Sequence, residues 1–159
     1  MRVISIDPGY DRLGVAVMES VDGSEKILFS TCIQSNKEDS LNERIKFIGD
    51  GFLNIVNEYQ PDTLAIETIF FNKNTNTAIG VAQARGAILY LAQANNCTVY
   101  EFGPQEIKVA ITGYGKSDKK AVIDMILRLI PDAPKKALDD EYDAIGIGIT
   151  CLAHYGRNK

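Results

Sequence analysis

Hydrophobic residues along this 159-residue chain fall into two patterns, short β-branched runs and longer stretches with helical spacing. The short runs predict strands, and turn signals such as Asp22-Gly23 and Pro61-Asp62 separate them from their neighbours. Short turns join the first three strands, which predicts an antiparallel meander. The predicted strands cover residues 3–6, 13–18, 27–33, 63–66 and 98–102.

The longer stretches predict helices. Ser40, followed three residues later by Glu43, is typical of a capping box at the start of the first one. Its apolar face then recurs at helical spacing through Leu41, Ile45, Ile48, Phe52, Ile55 and Tyr59. Further helices are predicted over residues 75–94, 104–113, 117–130 and 139–154. The one over residues 75–94 is rich in glycine and alanine, which allows close approach to a sheet or another helix.

The order of these elements predicts the class of fold. Strand–helix–strand units imply parallel strand pairs with helices on both faces of the sheet. The chain is therefore predicted to be an α/β protein with a mixed five-stranded sheet. Its length fits a single domain over residues 1–159, since domains cluster around ~100–150 residues.

Composition changes this picture little, with 45% hydrophobic and 24% charged residues. Met1 is followed by a strand-like run rather than a basic and then apolar region, so no signal peptide is expected. The longest apolar region, residues 79–94, is interrupted by Gln83, Arg85 and Gln93, which argues against a membrane span.

The sulfur and imidazole side chains give no metal-binding pattern. Cys32, Cys97 and Cys151 each stand alone in an apolar segment and are predicted to be small buried thiols. Such thiols suit a reducing cytoplasm. His154 is the single histidine, so a histidine-based metal cage is excluded.

The net charge of −4 argues against a simple cationic DNA-binding protein. Two bound divalent cations would add about four positive charges and cancel this formal excess. Positive charge is also concentrated between residues 108 and 120, at Lys108, Lys116, Lys119 and Lys120. The net charge by itself therefore excludes no class of nucleic-acid enzyme.

Acidic residues stand at the ends of two predicted strands and at the start of the last helix. Asp7 and Glu67 each follow a strand that is predicted to be fully buried. Ligands bind at the carboxyl ends of strands in open α/β sheets, so both acids lie where a site is expected. Asp140 and Asp143 are three residues apart and share one face of the last helix. We expect the four carboxylates to converge at one edge of the sheet.

Such a cluster requires protons or cations. Two carboxylates about 4 Å apart repel each other by roughly 4 kcal/mol at an effective dielectric constant of about 20. Carboxylate oxygens are hard ligands that suit Mg²⁺ or Mn²⁺, and a pair of such ions catalyses phosphodiester hydrolysis in many nucleases. Singly, each acid has another explanation, because Asp before Pro-Gly favours a turn and acids favour helix starts.

Motifs along nearly the whole chain resemble the RuvC family of Holliday junction resolvases, which are ribonuclease H-like endonucleases. The order of the motifs is more specific than any one of them. The resemblance rests on Ile6-Asp7-Pro8-Gly9, Pro61-Asp62 leading to Ala65-Ile66-Glu67, Phe70, Gln83-Ala84-Arg85-Gly86, the segment from Gly115 through Lys119 to Val122, and Asp140 with Asp143-Ala144.

The resemblance implies roles for particular residues. Asp7, Glu67, Asp140 and Asp143 match the four metal-binding acids of the family, and Asp139 competes with Asp140 for one role. Lys119 matches a basic residue near the scissile phosphate. Lys108 matches a further basic residue of the DNA-facing region. Arg85 is a candidate DNA contact, and its alternative role is to fix its helix to its neighbours. Phe70 matches an aromatic residue that helps to open base pairs, and its alternative role is to fill the core.

The resemblance also implies a function. The expected protein is a cytoplasmic, nucleoid-associated homodimer that nicks two strands of a four-way DNA junction, using two Mg²⁺ ions per site with Mn²⁺ as a substitute. The helix over residues 75–94 is the expected dimer contact, and a branch-migration motor is an expected partner. The alternatives are an RNA-processing nuclease of the YqgF family, which shares a strand like Gly14-Val15-Ala16, and a junction-binding protein without activity. An actin-like kinase would need a second domain.

Overall fold

A five-stranded mixed sheet forms the centre of the protein in the computed structural model, which describes residues 1–69 and 75–156. The strands lie in the order β3-β2-β1-β4-β5. Strands β1, β4 and β5 are parallel, and β2 runs antiparallel to both of its neighbours. Their bounds are β1 (Arg2–Asp7), β2 (Arg12–Val21), β3 (Ser24–Gln34), β4 (Thr63–Glu67) and β5 (Thr98–Phe102). The predicted mixed α/β sheet is confirmed.

Five helices complete the described fold, and each starts and ends within two residues of its predicted bounds. They are α1 (Leu41–Tyr59), α2 (Thr75–Ala94), α3 (Pro104–Thr112), α4 (Lys119–Leu129) and α5 (Asp139–Tyr155). The predicted capping box is present, because Ser40 Oγ accepts from the Glu43 amide and the Glu43 carboxylate accepts from the Ser40 amide. Helix α4 starts later than predicted because the Asp118 carboxylate caps its first turn.

The helices cover both faces of the sheet, because strand side chains alternate between two apolar clusters. Ile4 and Ile6 of β1 face α1 and α2, whereas Val3 and the buried Ser5 face α5. Helices α3 and α4 pack on the outer side of α5 within the second cluster. This arrangement places the first turn of α5 beside the carboxyl ends of β1 and β4.

Two of the three cysteines are buried as predicted, and the third, Cys32, is more exposed than predicted. Cys97 and Cys151 are buried, Cys32 is half-buried, and all three are free thiols. In the described part of the chain, no helix combines the length and the apolar character needed to cross a membrane.

Candidate metal centre and nucleic-acid interface

Asp7 and Glu67 lie side by side at the carboxyl edge of the sheet. Their strands are parallel, and Ile6 pairs with Ile66 in register. Because each acid is the next residue along its strand, the register places the two carboxylates as neighbours. Both acids extend a buried strand into a partly exposed position, so their side chains reach solvent from an apolar base.

The first turn of α5 approaches this edge through a contact that only glycine allows. Gly14 of β2 pairs with Asp7, and a Cβ atom built on Gly14 would lie 1.9 Å from the Asp140 carbonyl oxygen. The same Cβ would lie 3.2 Å from the Asp7 Cβ. Gly14 therefore lets the backbone of Asp140 lie directly against the strands that carry the other acids.

We expect Gly14→Ala to disrupt this centre. The new methyl group would force α5 away from β2, and overpacking of this kind costs about 1–3 kcal/mol in unfolding free energy. Cleavage activity should fall more steeply than stability, because Asp140 and Asp143 would move with the helix. Thermal unfolding and cleavage rates of Gly14→Ala and of the control Gly49→Ala, whose added Cβ would lie at an ordinary 3.5 Å from Leu91, measure both effects. A Gly14→Ala protein with wild-type stability and activity would contradict the close approach.

The four acids are electrostatically coupled. Burial, followed by the charges of Asp143, Glu67 and Asp140, raises the pKa of Asp7 from 3.8 to about 8. Burial and the charge of Asp143 also raise the pKa of Glu67. Burial raises the pKa of Asp143, against the lowering effect of its hydrogen bond from Lys119. The four carboxylates at this edge of the sheet therefore need a bound proton or cation to be stable together.

In the part of the chain that the structure describes, two cationic side chains form ion pairs with the acids at the start of α5. Lys119 Nζ lies 2.9 Å from Asp143 Oδ2 and 3.5 Å from Asp139 Oδ2. On the other side, Arg12 Nη1 lies 3.6 Å from Asp140 Oδ2. Burial lowers the pKa of Lys119, but its interactions with Asp143 and Asp139 outweigh burial and raise that pKa. Lys119 is therefore a full positive charge at neutral pH.

The geometry distinguishes Asp140 from its neighbour Asp139. The Asp140 side chain is 27% exposed, and its charge contributes to the raised pKa of Asp7. The Asp139 side chain is 63% exposed, and its ion pair is with Lys119. A shared metal centre requires a partly buried carboxylate close to the other acids. Asp140 has that environment, which supports Asp140 rather than Asp139 as the ligand.

The donor chemistry fits a hard divalent cation. The four carboxylates supply only oxygen atoms, and the raised pKa of Asp7 shows that added positive charge would stabilise its ionised form. Among residues 1–69 and 75–156, no three acidic, histidine or cysteine side chains already surround a common point at metal-binding distance. Asp140 and Asp143 instead direct oxygens towards Arg12 and Lys119, so these ion pairs would rearrange when a cation binds.

The predicted DNA-facing residues occupy different environments. Lys108, like Lys119, lowers the pKa of Glu67, and both lysines border a cavity of about 230 Å³ between α3, α4 and α5. Arg85 is only 17% exposed, and its Nη2 lies 2.5 Å from Glu101 Oε2 on β5. That ion pair supports the alternative in which Arg85 fixes α2 to the sheet. Phe70 lies outside the described residues, and its role stays a prediction.

The sequence interpretation missed two residues at the centre, Gly14 and Arg12. Gly14 was noted only as part of a strand motif, and its close contact depends on a helix that starts 125 residues later. Arg12 follows the Asp7-Pro8-Gly9 turn. Its position only five residues after a predicted metal ligand was the sequence signal that could have placed it at the centre.

The fold and the carboxylate centre define a ribonuclease H-like protein of the kind that includes metal-dependent nucleases. The family model described as crossover junction endodeoxyribonuclease RuvC matches residues 3–151. The chain therefore belongs to the RuvC family.

Individual relatives agree with this assignment. The RuvC protein of Thermosipho melanesiensis is 41% identical over 153 residues, which cover 96% of this chain and 97% of the relative. The RuvC protein of Brachyspira hyodysenteriae is 37% identical over 159 residues, covering 100% of this chain and 96% of the relative.

Solved structures share the fold. The structure of T. thermophilus RuvC in complex with a Holliday junction substrate superposes with a TM-score of 0.89 at 29% identity, covering 99% of this chain and 95% of that one. The yeast mitochondrial Holliday junction resolvase Ydc2 superposes with a TM-score of 0.68 at 12% identity, covering 97% of this chain and 81% of that one. At that identity, the second match shows the fold alone.

Proposed function

We propose that this protein resolves four-way DNA junctions by metal-dependent hydrolysis of phosphodiester bonds, with Mg²⁺ as the working ion. The observation that supports this most strongly is the coupling of Asp7 to Glu67, Asp140 and Asp143 at one edge of the sheet. The relatives named above supply the substrate class, since they are crossover junction endodeoxyribonucleases.

Each acidic residue has a role in this proposal. Asp7, Glu67, Asp140 and Asp143 would together hold the Mg²⁺ ions through their carboxylate oxygens. The bound ions would supply positive charge at the phosphate and activate the attacking water. Water attacks the phosphorus and the 3′ oxygen leaves, which gives a 5′-phosphate and a 3′-hydroxyl. Lys119 would donate hydrogen bonds to the phosphate and offset its charge.

The proposed active form is a homodimer that pairs two such centres across one junction. Helix α2 supports this because an exposed, uncharged stripe runs along it. Its members recur at helical spacing at Ile79, Gln83, Gly86 and Tyr90. Ile79 is 56% exposed and Tyr90 is 72% exposed, whereas a Cβ on Gly86 would meet nothing within 4 Å. An uncharged stripe with an exposed isoleucine and tyrosine is well suited to pack on a second copy.

We expect Tyr90→Asp to convert the dimer into monomers, because it would bury an unpaired charge within the proposed interface. The weight-average mass from sedimentation equilibrium measures the change. Val21→Asp, which places the same charge at a 43% exposed apolar residue of the β2–β3 hairpin, is the matched control. A Tyr90→Asp protein that stays dimeric at concentrations at which the wild type is dimeric would show that α2 is not the interface.

The central experiment compares labelled four-way junction, linear duplex and RNA–DNA hybrid in Mg²⁺ and in EDTA, with Asp7→Asn as the inactive control. Paired nicks restricted to the junction and to Mg²⁺ are expected. Cleavage of the hybrid instead would assign the same chemistry to RNA processing, and binding without cleavage in Mg²⁺ or Mn²⁺ would leave a junction-binding protein. A cytoplasmic, nucleoid-associated location and the branch-migration motor partner remain predictions from the family.

A further inference from the structure

A polar groove of about 530 Å³ opens from the acidic centre on the side of β2 and β3. Its lining combines Asp7 and Asp140 of the acidic centre with Arg12, Ser35 and Lys37, and these last three residues define the outer groove. Lys108 and Lys119 border a different cavity, next to Glu67 on β4. The acidic centre thus has cationic residues on two sides, and the proposed function uses only those on the β4 side.

A tight turn fixes the backbone of Arg12 at the groove. A Cβ on Gly9 would lie 2.3 Å from the Arg12 carbonyl oxygen, so the chain folds back closely between Asp7 and β2. Arg12 then pairs with Gln34 at the start of the β2–β3 ladder. The Ser35 amide donates to the Asp11 carbonyl over 3.0 Å, which ties the turn to the end of β3.

The charges along the outer groove favour an anion. Besides Asp7 and Asp140, Asp11 is the acid that lines the groove, and it forms an ion pair with Arg44. Arg44 is itself held in place, because its Nε donates to Ser35 Oγ over 2.9 Å. Within the described ranges, Lys37 pairs with no carboxylate, and Arg12 is half exposed with a single, long ion pair to Asp140. Two cations therefore remain available to a ligand in the groove.

We propose that this groove is a second phosphate-binding subsite, in which Arg12 leaves Asp140 and binds a backbone phosphate of the substrate strand while Lys37 binds a further phosphate along it. This inference rests on the proposed junction-cleaving function. The guanidinium group suits the role because its planar N–H donors match two phosphate oxygens at once. A strand held by Lys119 on one side of the acids and by Arg12 on the other would cross the metal centre in a fixed position.

The movement of Arg12 from Asp140 to a phosphate also affects metal binding. In the free protein Arg12 and an incoming cation compete for the same Asp140 carboxylate. The partly exposed ion pair is weak, so a cation displaces it readily. The displaced guanidinium then lies beside the centre at the stage when the phosphate arrives. Arg12 thus opposes metal binding in the free protein and favours DNA binding in the complex.

Two binding measurements on Arg12→Ala test this inference. Calorimetric titration of the DNA-free protein with Mg²⁺ should show about two- to fivefold tighter binding, the equivalent of one exposed ion pair. Junction binding, measured by fluorescence anisotropy in Ca²⁺ with gels verifying an intact junction, should weaken. The slope of its logarithmic salt dependence should fall by about 0.9, because the variant neutralises one phosphate fewer than the wild type.

Three further variants separate the role of Arg12 from a general charge effect. Lys37→Ala should lower the salt slope by a similar amount and leave Mg²⁺ affinity unchanged. Arg12→Lys should restore the salt slope of the alanine variant, because the positive charge returns. Arg128→Ala makes the same charge change on the exposed last turn of α4 and should leave both measurements at wild-type values.

Arg12→Ala should therefore tighten Mg²⁺ binding and weaken junction binding. Equal or weaker Mg²⁺ binding by Arg12→Ala would overturn the exchange at Asp140, and an unchanged salt slope would overturn the binding of a phosphate by Arg12. The Mg²⁺ titration contains no DNA, so it reports on Arg12 even if the wild-type protein shows no preference for junctions. That last result would refute the proposed function and not the competition for Asp140.

Discussion

Asp7→Asn is expected to lower the rate of junction cleavage by about 10³-fold or more while the dissociation constant for the junction stays within about threefold. The charges of the other three acids all act on Asp7, so the substitution removes a central carboxylate of the set that would hold the cations. Binding is spared because cationic side chains hold the phosphate backbone. Single-turnover cleavage and anisotropy on the same junction measure the two quantities.

The same variant should be more stable than the wild type in metal-free buffer. The pKa of Asp7 is raised from 3.8 to about 8 in the folded protein, so the folded state binds this proton more tightly than the unfolded state. Stability from this group is therefore fully present below about pH 4 and is lost as the pH rises through about 8. Asparagine does not ionise, so the variant should gain about 1–2 kcal/mol near pH 8 and little at pH 4.

Chemical denaturation in EDTA at several pH values measures this difference. It also controls for misfolding, since a more stable variant that cleaves nothing has lost chemistry and not structure. Added Mg²⁺ should reduce the difference, because ligand binding to the folded wild type contributes about 2.7 kcal/mol at a hundredfold excess over the dissociation constant. An asparagine variant that cleaves normally, or that unfolds more easily at pH 8, would refute the role of Asp7.

The elements were predictable from the sequence because local patterns determined them. β-branched runs ended by turns predicted the strands, and the Ser40–Glu43 pair predicted the start of α1. The main differences lie in the hairpin between β2 and β3. There Val21 and Ser24 still pair although the polar side chains around them gave no strand signal. Backbone hydrogen bonding extends a hairpin beyond the residues whose side chains are buried.

The acidic centre was predictable in its members but not in its interactions. Asp7 and Glu67 followed from strand ends, since register alone makes neighbours of acids that end parallel strands. The approach of α5 to Gly14 and the ion pair of Arg12 depend on tertiary packing, which no local pattern encodes. For Arg85 the motif left two roles open, and the ion pair with Glu101, which only the fold shows, supports the structural one.

Lys119→Ala is expected to lower the single-turnover cleavage rate by about 10²- to 10³-fold, the usual effect of removing one donor that stabilises transition-state charge. The hydrogen bond from Lys119 Nζ to Asp143 Oδ2 places the ammonium group at the edge of the acidic centre, and the raised pKa of Lys119 keeps it charged. The junction dissociation constant should change by less than about tenfold, because the other cationic side chains still bind the phosphate backbone.

The neighbouring Lys120→Ala is the matched control, since it removes the same charge from the next residue of α4 and, in the described structure, breaks no ion pair. Lys119→Arg should recover part of the rate, because a cation returns with altered geometry. Stability should change by no more than about 1 kcal/mol, because the ion pair with Asp143 is half exposed. Equal reductions of rate in the two alanine variants would mean that Lys119 acts only through general electrostatic attraction of DNA.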